Sequence, residues 1–355
     1  MLLGSTSVPH VNFSIDSESL KPSLTSLISS ISTAHPSILP TEPFTLTRIS
    51  GAMTNQIYII HFSTIKYILR IYGSSPLLSR TSELSTSLFL HAYELAPSIY
   101  MTFSNGRIEE YIESECLDAG KMRDATTSLA IAQCLGSFHR NVNEIMEREE
   151  IQEDIIIWSR CREWLTLALT FLETADSTDT ISQIKTLLSE NNVNFISDIQ
   201  QFKKYSERFP SKLSFCHNDL QYGNILQTRQ GKLQLIDYEY AGMNPIAFDI
   251  ANHWCEWMAD YHSPESYLLR LDKFPTRDEC EVFLTEYVKT VSSTSQVNQE
   301  EIALLLEECE FYVMISHLLW ACWGLIQPKV DSSFDYDAYS LCRLTYYCNL
   351  RKKYI

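Results

Sequence analysis

The rhythm of hydrophobic and polar positions changes near Ile112, and that change divides the chain. Upstream, β-branched and aromatic residues gather in short alternating runs. Thr45 to Ile49, Gln56 to Phe62, Ile65 to Gly73, Ile99 to Phe103 and Arg107 to Ile112 predict strands. In Ile65-Lys-Tyr-Ile-Leu-Arg-Ile-Tyr-Gly73, the residues Ile65, Tyr67, Leu69 and Ile71 share one face and Lys66, Ile68 and Arg70 the other. The turns Ser50-Gly-Ala-Met-Thr-Asn55 and Ser104-Asn-Gly106 join neighbouring runs, and a helix over 82–95 is interrupted by Pro97. Downstream the spacing is helical. Ile131, Cys134, Leu135 and Phe138 line one face of a helix over 126–139 and belong to the core; further helices are expected over 155–174 and 181–188. Within this half, 225–228 and 233–236 alternate as strands around Arg229-Gln-Gly-Lys232, a β-hairpin. Residues 1–40 are rich in Ser, Thr and Pro; the first dozen are expected to be disordered and Leu20 to Ile31 to be helical, ending before Pro36. The organisation expected is an N-terminal extension over 1–40, a strand-rich lobe over 41–112 and a larger, mainly helical lobe over 113–355, hence an α+β protein.

Composition narrows the class. A chain of 355 residues with 45% apolar and 20% charged content is an ordinary globular protein with room for a sizeable core. Its ten cysteines contain no Cys-x-x-Cys pair, so they read as reduced, buried, small hydrophobes rather than a zinc or redox site. No apolar run reaches the length of a membrane span, and residues 1–20 lack the basic start and apolar core of a signal peptide. A cytoplasmic protein without an integral membrane segment is expected. The net charge of −16 disfavours nucleic acid as a partner and suits a cationic small molecule, although an acidic surface also serves solubility alone. For residues 1–40, a packing role and a homodimer contact both stay open.

The chemistry is densest between Leu213 and Tyr261. Asp219 and Asn224, in His217-Asn-Asp-Leu-Gln221-Tyr-Gly-Asn224, stand five apart, the interval of a kinase catalytic loop in which the Asp orients a hydroxyl and the Asn holds a metal ion. Asp237 follows thirteen residues after Asn224, and the intervening hairpin would return it beside that loop as a second metal ligand. His217 reads as a loop support rather than a proton carrier, and Gln221 as a group that orients Asp219 or a substrate. Further on, Trp320 and Trp323 lie on adjacent turns of one helix face, a pattern that by itself belongs to a core more often than to a binding site. His139 reads as a group favouring a helix dipole or capping carbonyls, and Trp158 and Trp164 as packing, so 141–210 carries no assigned chemistry.

Three ordered blocks, His-Asn-Asp-Leu-Gln-Tyr-Gly-Asn, Ile-Asp237-Tyr-Glu239-Tyr240 and Phe-Asp249-Ile-Ala-Asn-His-Trp-Cys-Glu256-Trp, resemble the choline/ethanolamine kinase family. The resemblance runs from about Ser50 to the C-terminus and implies a two-lobed, protein-kinase-like fold that uses ATP and Mg²⁺. It implies that Gly51, Ala52, Met53, Thr54 and Asn55 form the nucleotide loop, with Ala52 where the family has a second Gly. By itself that stretch is an ordinary hairpin turn. The resemblance gives Arg70 the α/β-phosphates, with Lys66 as a weaker candidate, and offers Glu83 as its acidic partner. Glu83 also reads as an exposed first-turn residue favoured by the dipole. Glu109, Glu110, Tyr111 and Ile112 match the hinge that holds adenine. Asp219, Glu239, Tyr240, Glu256, Tyr261, Trp320, Trp323, Tyr336 and Tyr339 match the substrate site, where aromatic faces and carboxylates would recognise an ammonium group. Asp249 reads as a brace for the catalytic loop. The activity implied is phosphorylation of choline to phosphocholine, the first step toward phosphatidylcholine. Ethanolamine, or both substrates, is the alternative, and a catalytically inactive kinase-fold scaffold is the reading from another class. Asp-Tyr-Glu in place of Asp-Phe-Gly, and the lack of Ala-Pro-Glu, speak against a protein kinase; Trp320 and Trp323 speak against an antibiotic phosphotransferase.

Overall fold

Alternation along the first half produces a sheet whose inner face holds Tyr58, Ile60, Tyr67, Leu69, Ile71, Met101 and Ile108. The computed structural model describes residues 8–34, 39–49, 55–73, 77, 79–176, 178–294, 296–327 and 334–355. In chain order the first strands and helices are β1 (His10–Val11), α1 (Leu20–Ala34), β2 (Thr45–Ile49), β3 (Asn55–His61), β4 (Lys66–Tyr72), α2 (Arg80–Ala92), β5 (Ile99–Phe103) and β6 (Gly106–Glu110). The six strands lie in the order β1-β5-β6-β4-β3-β2, antiparallel except where β1 runs parallel to β5. The first of the expected segments departs from its description. His10 and Val11 pair with Thr102 and Phe103, and α1 sends Leu24, Leu27, Ile28 and Ile31 into the same core as the sheet. A two-residue strand is too short to show a periodicity, so it leaves no signal in the sequence.

The chain separates into two compact units at Ser114 and Glu115. The second contains β7 (Ser114–Cys116) as the chain enters it, α3 (Ala119–Arg123), α4 (Ala125–Arg148), α5 (Ile157–Thr174), α6 (Asp179–Glu190), α7 (Phe195–Ser206), β8 (Leu213–Cys216), β9 (Ile225–Thr228), β10 (Leu233–Leu235), β11 (Gly242–Pro245), α8 (Ile246–Glu256), α9 (Arg277–Ser292), α10 (Gln299–Ile326) and α11 (Tyr336–Arg351). The hairpin β9–β10 pairs Ile225 with Leu235, and β8 pairs antiparallel with β11. At the centre runs α10, apolar on all sides over its C-terminal half and packed against α5, α8 and α11, as expected of a helix enclosed by others. At Gly324 the approach of α11 is so close that a Cβ would stand 2.4 Å from Ser340 Oγ and 3.1 Å from the Tyr336 carbonyl. Asp124, Thr178, Asn194, Thr276 and Asn298 supply N-caps, with a full capping box at Thr276 and Glu279. Among the described residues, no helix is long and apolar enough to cross a membrane.

Candidate active site

Helix α8 buries polar side chains as thoroughly as apolar ones. Asp249, Asn252, His253 and Glu256 are spaced by three, four and seven residues, so they share a face, and the first three of them hold the loop after β8. Asp249 accepts the backbone N–H of His217 at 2.8 Å and of Asn218 at 2.7 Å, which makes it the brace expected of it. Asn252 Nδ2 donates to the Asn218 carbonyl at 3.2 Å. His253 Nδ1 lies 2.9 Å from the Leu220 carbonyl and must donate to it, so Nε2 accepts from Trp257 Nε1 at 3.3 Å. Burial would raise the Asp249 carboxyl, but the hydrogen bond and charge of His139, with His217 adding to them, hold it below its ordinary value. His139 lies within α4 rather than near its end, and bridges Tyr287 and Asp249 at 2.7 and 2.9 Å. That replaces the dipole or capping role expected for it.

Asn218 turns the loop. Its φ of 64° is left-handed, a conformation that asparagine tolerates better than most residues. Its side-chain amide faces the carbonyls of Tyr240, Gly242 and Cys216 at 3.0, 3.2 and 3.3 Å and accepts from Asn244 Nδ2 at 2.8 Å. Among the described non-glycine residues with positive φ, Glu94, Glu150, Asn192 and Ser293 follow helix ends; only Asn218 and Asp237 do not.

The buried imidazoles have a consequence for stability. Burial holds His253 at about 4 against 6.5 for the free side chain, and it lowers His217 as well. Between the two values the unfolded chain binds the extra proton. The contribution is therefore complete above pH 6.5 and is lost as pH falls toward 4, reaching about 2 kcal/mol for His253 at pH 5. Urea midpoints at pH 7 and pH 5 should differ accordingly, and His253→Gln should flatten the difference; equal midpoints in the unaltered protein would rule out a neutral, buried His253.

The candidate reactive groups follow this loop. Asn224 Nδ2 donates to the Asp219 carbonyl at 2.8 Å and to Asp219 Oδ2 at 2.9 Å, turning its amide oxygen away from that carboxylate. The Ile236 N–H reaches the Asn224 carbonyl at 3.0 Å and His217 Nε2 lies 2.9 Å from the Ile236 carbonyl, so the hairpin brings Asp237 beside Asn224. The Asp219 N–H meets His217 Nδ1 at 3.3 Å, so His217 supports the loop through both nitrogens. Gln221 Oε1 accepts the Gly223 N–H at 3.0 Å and so caps the turn Tyr222–Asn224. Its carbonyl oxygen thus serves the turn. Burial, and then the charges of Glu256, Glu239 and Asp237, push Asp219 well above the ordinary carboxylate range; the Asn224 bond opposes them.

Beside these acids stands a wall of rings. Tyr240, Trp320 and Trp323 are nearly buried, with Tyr240–Trp320 and Trp320–Trp323 centroids 5.2 and 5.6 Å apart. Tyr336 and Tyr339 pack on Trp323 at 5.7 and 6.1 Å. Trp164, read as packing, stands edge-on to Tyr240 at 5.8 Å and to Trp320 at 6.2 Å, so 141–210 contributes to the group after all. Arg160 lies over the Trp164 and Tyr240 rings and donates to the Tyr240 carbonyl at 2.9 Å; burial lowers it to about 10. The polar atoms of the wall are engaged internally. Trp320 Nε1 donates to Asn252 Oδ1 at 2.7 Å and Trp323 Nε1 to the Tyr240 hydroxyl at 2.8 Å. Glu256 accepts from the Tyr261 hydroxyl and from Arg343 Nη2, each at 2.6 Å. Glu239 is half-buried next to Tyr240.

In the N-terminal unit, Arg70 Nε donates to Glu109 Oε1 at 3.0 Å. Arg107 joins the same oxygen and continues to Glu83 Oε1 at 3.2 Å, while Arg80 holds Glu83 Oε2 at 2.7 Å. Burial would raise Glu109, but the Arg70 and Arg107 charges bring it down to about 2. The carboxylate seated on Arg70 Nε is therefore Glu109, expected in the hinge, and Glu83 enters the ladder through Arg107. Glu110 accepts the Ser98 N–H at 3.0 Å, the Tyr111 ring lies under Lys66 at 4.8 Å, and the Ile112 carbonyl accepts from Ser114. Lys66 pairs with Glu113 on the surface. Asn55 is buried at the start of β3. Gly51, Ala52, Met53 and Thr54 lie outside the described residues.

Sequence reasoning missed Asn252, His253, Trp164 and Arg343 as parts of the site, and it mentioned Asn218 only as a letter of the loop. The α8 stripe had a signal: polar residues at 249, 252, 253 and 256 inside an otherwise apolar helix. Arg343 had none, because its partner lies 87 residues away.

Comparison with known proteins supplies the last observation. The sequence profile of choline/ethanolamine kinases matches residues 46–348. A probable choline kinase of Arabidopsis thaliana is 33% identical over 310 residues, 84% of each chain. The ethanolamine kinase of Saccharomyces cerevisiae is 32% identical over 80% of this chain and 58% of its own. Among solved structures, a choline kinase from Cryptosporidium parvum superposes with a TM-score of 0.74 at 23% identity, covering 93% of this chain and 96% of that one. An ethanolamine kinase from Plasmodium vivax gives 0.76 at 22%, covering 96% and 92%.

Proposed function

Since the chain belongs to the choline/ethanolamine kinase family and has its α+β, protein-kinase-like fold, we propose that it transfers the γ-phosphoryl group of ATP to the hydroxyl of choline. Asp219 takes the role of general base. Its crowding by Glu256, Glu239 and Asp237 makes its carboxylate a stronger proton acceptor than a solvated Asp, which suits deprotonation of an alcohol as the O–P bond forms. Asp237 and the Asn224 amide offer the hard oxygen donors that Mg²⁺ prefers, and a dication would relieve the like charges that raise Asp219. Bound there, the ion would neutralise phosphate charge during transfer. Nucleotide binding draws support from fold neighbours solved with AMP and with ADP. In the N-terminal unit, Arg70, fixed in place by Glu109, is the cation assigned to phosphate.

The observation that carries choline over ethanolamine is the internal bonding of the aromatic wall. Both indole N–H groups and the Tyr261 hydroxyl have partners inside the cluster, and Glu256 is neutralised by Arg343. Ring faces remain, and they suit a methylated ammonium that has no N–H to donate. Three extra methyl groups at about 0.8 kcal/mol each favour choline by about fiftyfold. ADP release measured side by side with choline, ethanolamine and a neutral polar alcohol tests this. Equal or better use of ethanolamine would reassign the substrate, and no turnover with either would favour the scaffold reading.

A further inference from the structure

Resting on the reading of a choline-type substrate, we propose that Asn252 is a positioning residue that sets the span between the cation-binding wall and Asp219, and so selects the length of the substrate's carbon spacer. The Asn252 side chain is fully buried, and each end of its amide has a different task. Its Oδ1 accepts from Trp320 Nε1 and from Ser316 Oγ, both at 2.7 Å. Its Nδ2 donates at 3.2 Å to the Asn218 carbonyl, which belongs to the peptide whose nitrogen is that of Asp219. Chemistry fixes this orientation. An indole nitrogen can only donate and a carbonyl can only accept, so a flipped amide would set donor against donor and acceptor against acceptor.

Both ends of the span are held from elsewhere. Tyr240, Trp323 and Trp164 pack around Trp320 at 5.2, 5.6 and 6.2 Å, so the indole cannot swing while its nitrogen is tethered. At the other end, the N–H of the 218–219 peptide meets His217 Nδ1 at 3.3 Å. Among the described residues, Asn252 is the one side chain with a hydrogen bond to both. A substrate with its ammonium on the Trp320 face and its hydroxyl at Asp219 must match the separation that this amide maintains. One more methylene displaces one end, and an error of about 1 Å in the reacting atoms costs about a hundredfold in rate.

The test compares kcat/KM for choline with that for its homologue bearing a three-carbon spacer, in the full-length protein and in Asn252→Ala and Asn252→Asp. Unaltered protein should prefer choline by about 10- to 200-fold, the usual worth of one methylene. Both variants should bring that ratio to within about threefold while the KM for ATP moves by less than about twofold. Asn252→Asp keeps an acceptor for Trp320 and Ser316, while its second carboxylate oxygen replaces the donor to Asn218 and brings a charge with it. If this variant retains the preference, Asn252 merely supports Trp320 and the proposal is overturned. Should Asn252→Ala fail to fold, Asn252→Asp decides alone, since both substrates are compared within that one variant and carry the same ammonium group. Unaltered protein that uses both spacers equally well overturns the proposal without any variant. Absence of turnover with every amino alcohol would instead remove the parent reading, and this inference with it.

Discussion

Asp219→Ala is expected to lower kcat by about a hundred- to ten-thousandfold, the usual worth of a positioned general base, with ATP affinity changed little. Structure supports a clean result. The loop is held through its backbone by Asp249, Asn252 and His253 and through the Asn218 amide, none of which needs the Asp219 carboxylate. Asn224 would lose one acceptor and keep the Asp219 carbonyl. Because burial and neighbouring acids hold Asp219 well above its solvated value, its charged form costs folding free energy at neutral pH. The variant should therefore melt at or above the temperature of the unaltered protein while losing turnover. A fall in melting temperature along with activity would trace the loss to folding and remove the argument for a base.

The second large effect is expected from the pair of Arg343 and Glu256. Both side chains are buried, joined at 2.6 Å, and Arg343 Nε also donates to the Tyr339 hydroxyl at 3.0 Å. Removing one partner of such a pair leaves a charge in a low-dielectric interior, a cost of about 3–5 kcal/mol. Arg343→Met should therefore lower the melting temperature by about 4–7 °C for a chain of this size. Glu256→Gln in the same chain should recover much of that loss, since a neutral amide needs no counter-charge. Calorimetry of the two single variants and the double variant forms the cycle; additive losses would mean that the two groups are not energetically coupled. The same cycle read on the KM for choline separates this structural pairing from a direct contact of Glu256 with the ammonium.

What could be read from the sequence follows the range over which each signal acts. The strands β2 to β6 and the hairpin β9–β10 lie within a residue or two of their expected places, because alternation and turn chemistry are local. Spacing alone singled out Asp219, Asn224 and Asp237 as candidates, and the hairpin between the last two brings Asp237 beside Asn224. Failures came where partners are distant in sequence. In the N-terminal unit, Glu109, read as hinge, is seated on Arg70 Nε from the neighbouring strand β6, and Arg107 and Arg80 hold Glu83, a network across elements that no local pattern announces. α7, with only four buried residues, is absent from the expected helices, and the end of α4 was set too early at His139. Tertiary packing, rather than periodicity, determines those limits.

The left-handed turn at Asn218 restricts what that position can accept. Glycine would follow the backbone and forfeit the side-chain bonds to 240, 242 and 244; aspartate would accept from Asn244 but present a carboxylate to three carbonyls; alanine would do neither. In a survey of every replacement along the loop, position 218 should tolerate fewer letters than Gln221, although it meets neither substrate nor nucleotide in the mechanism. Intolerance of change there would be a record of architecture, not of chemistry.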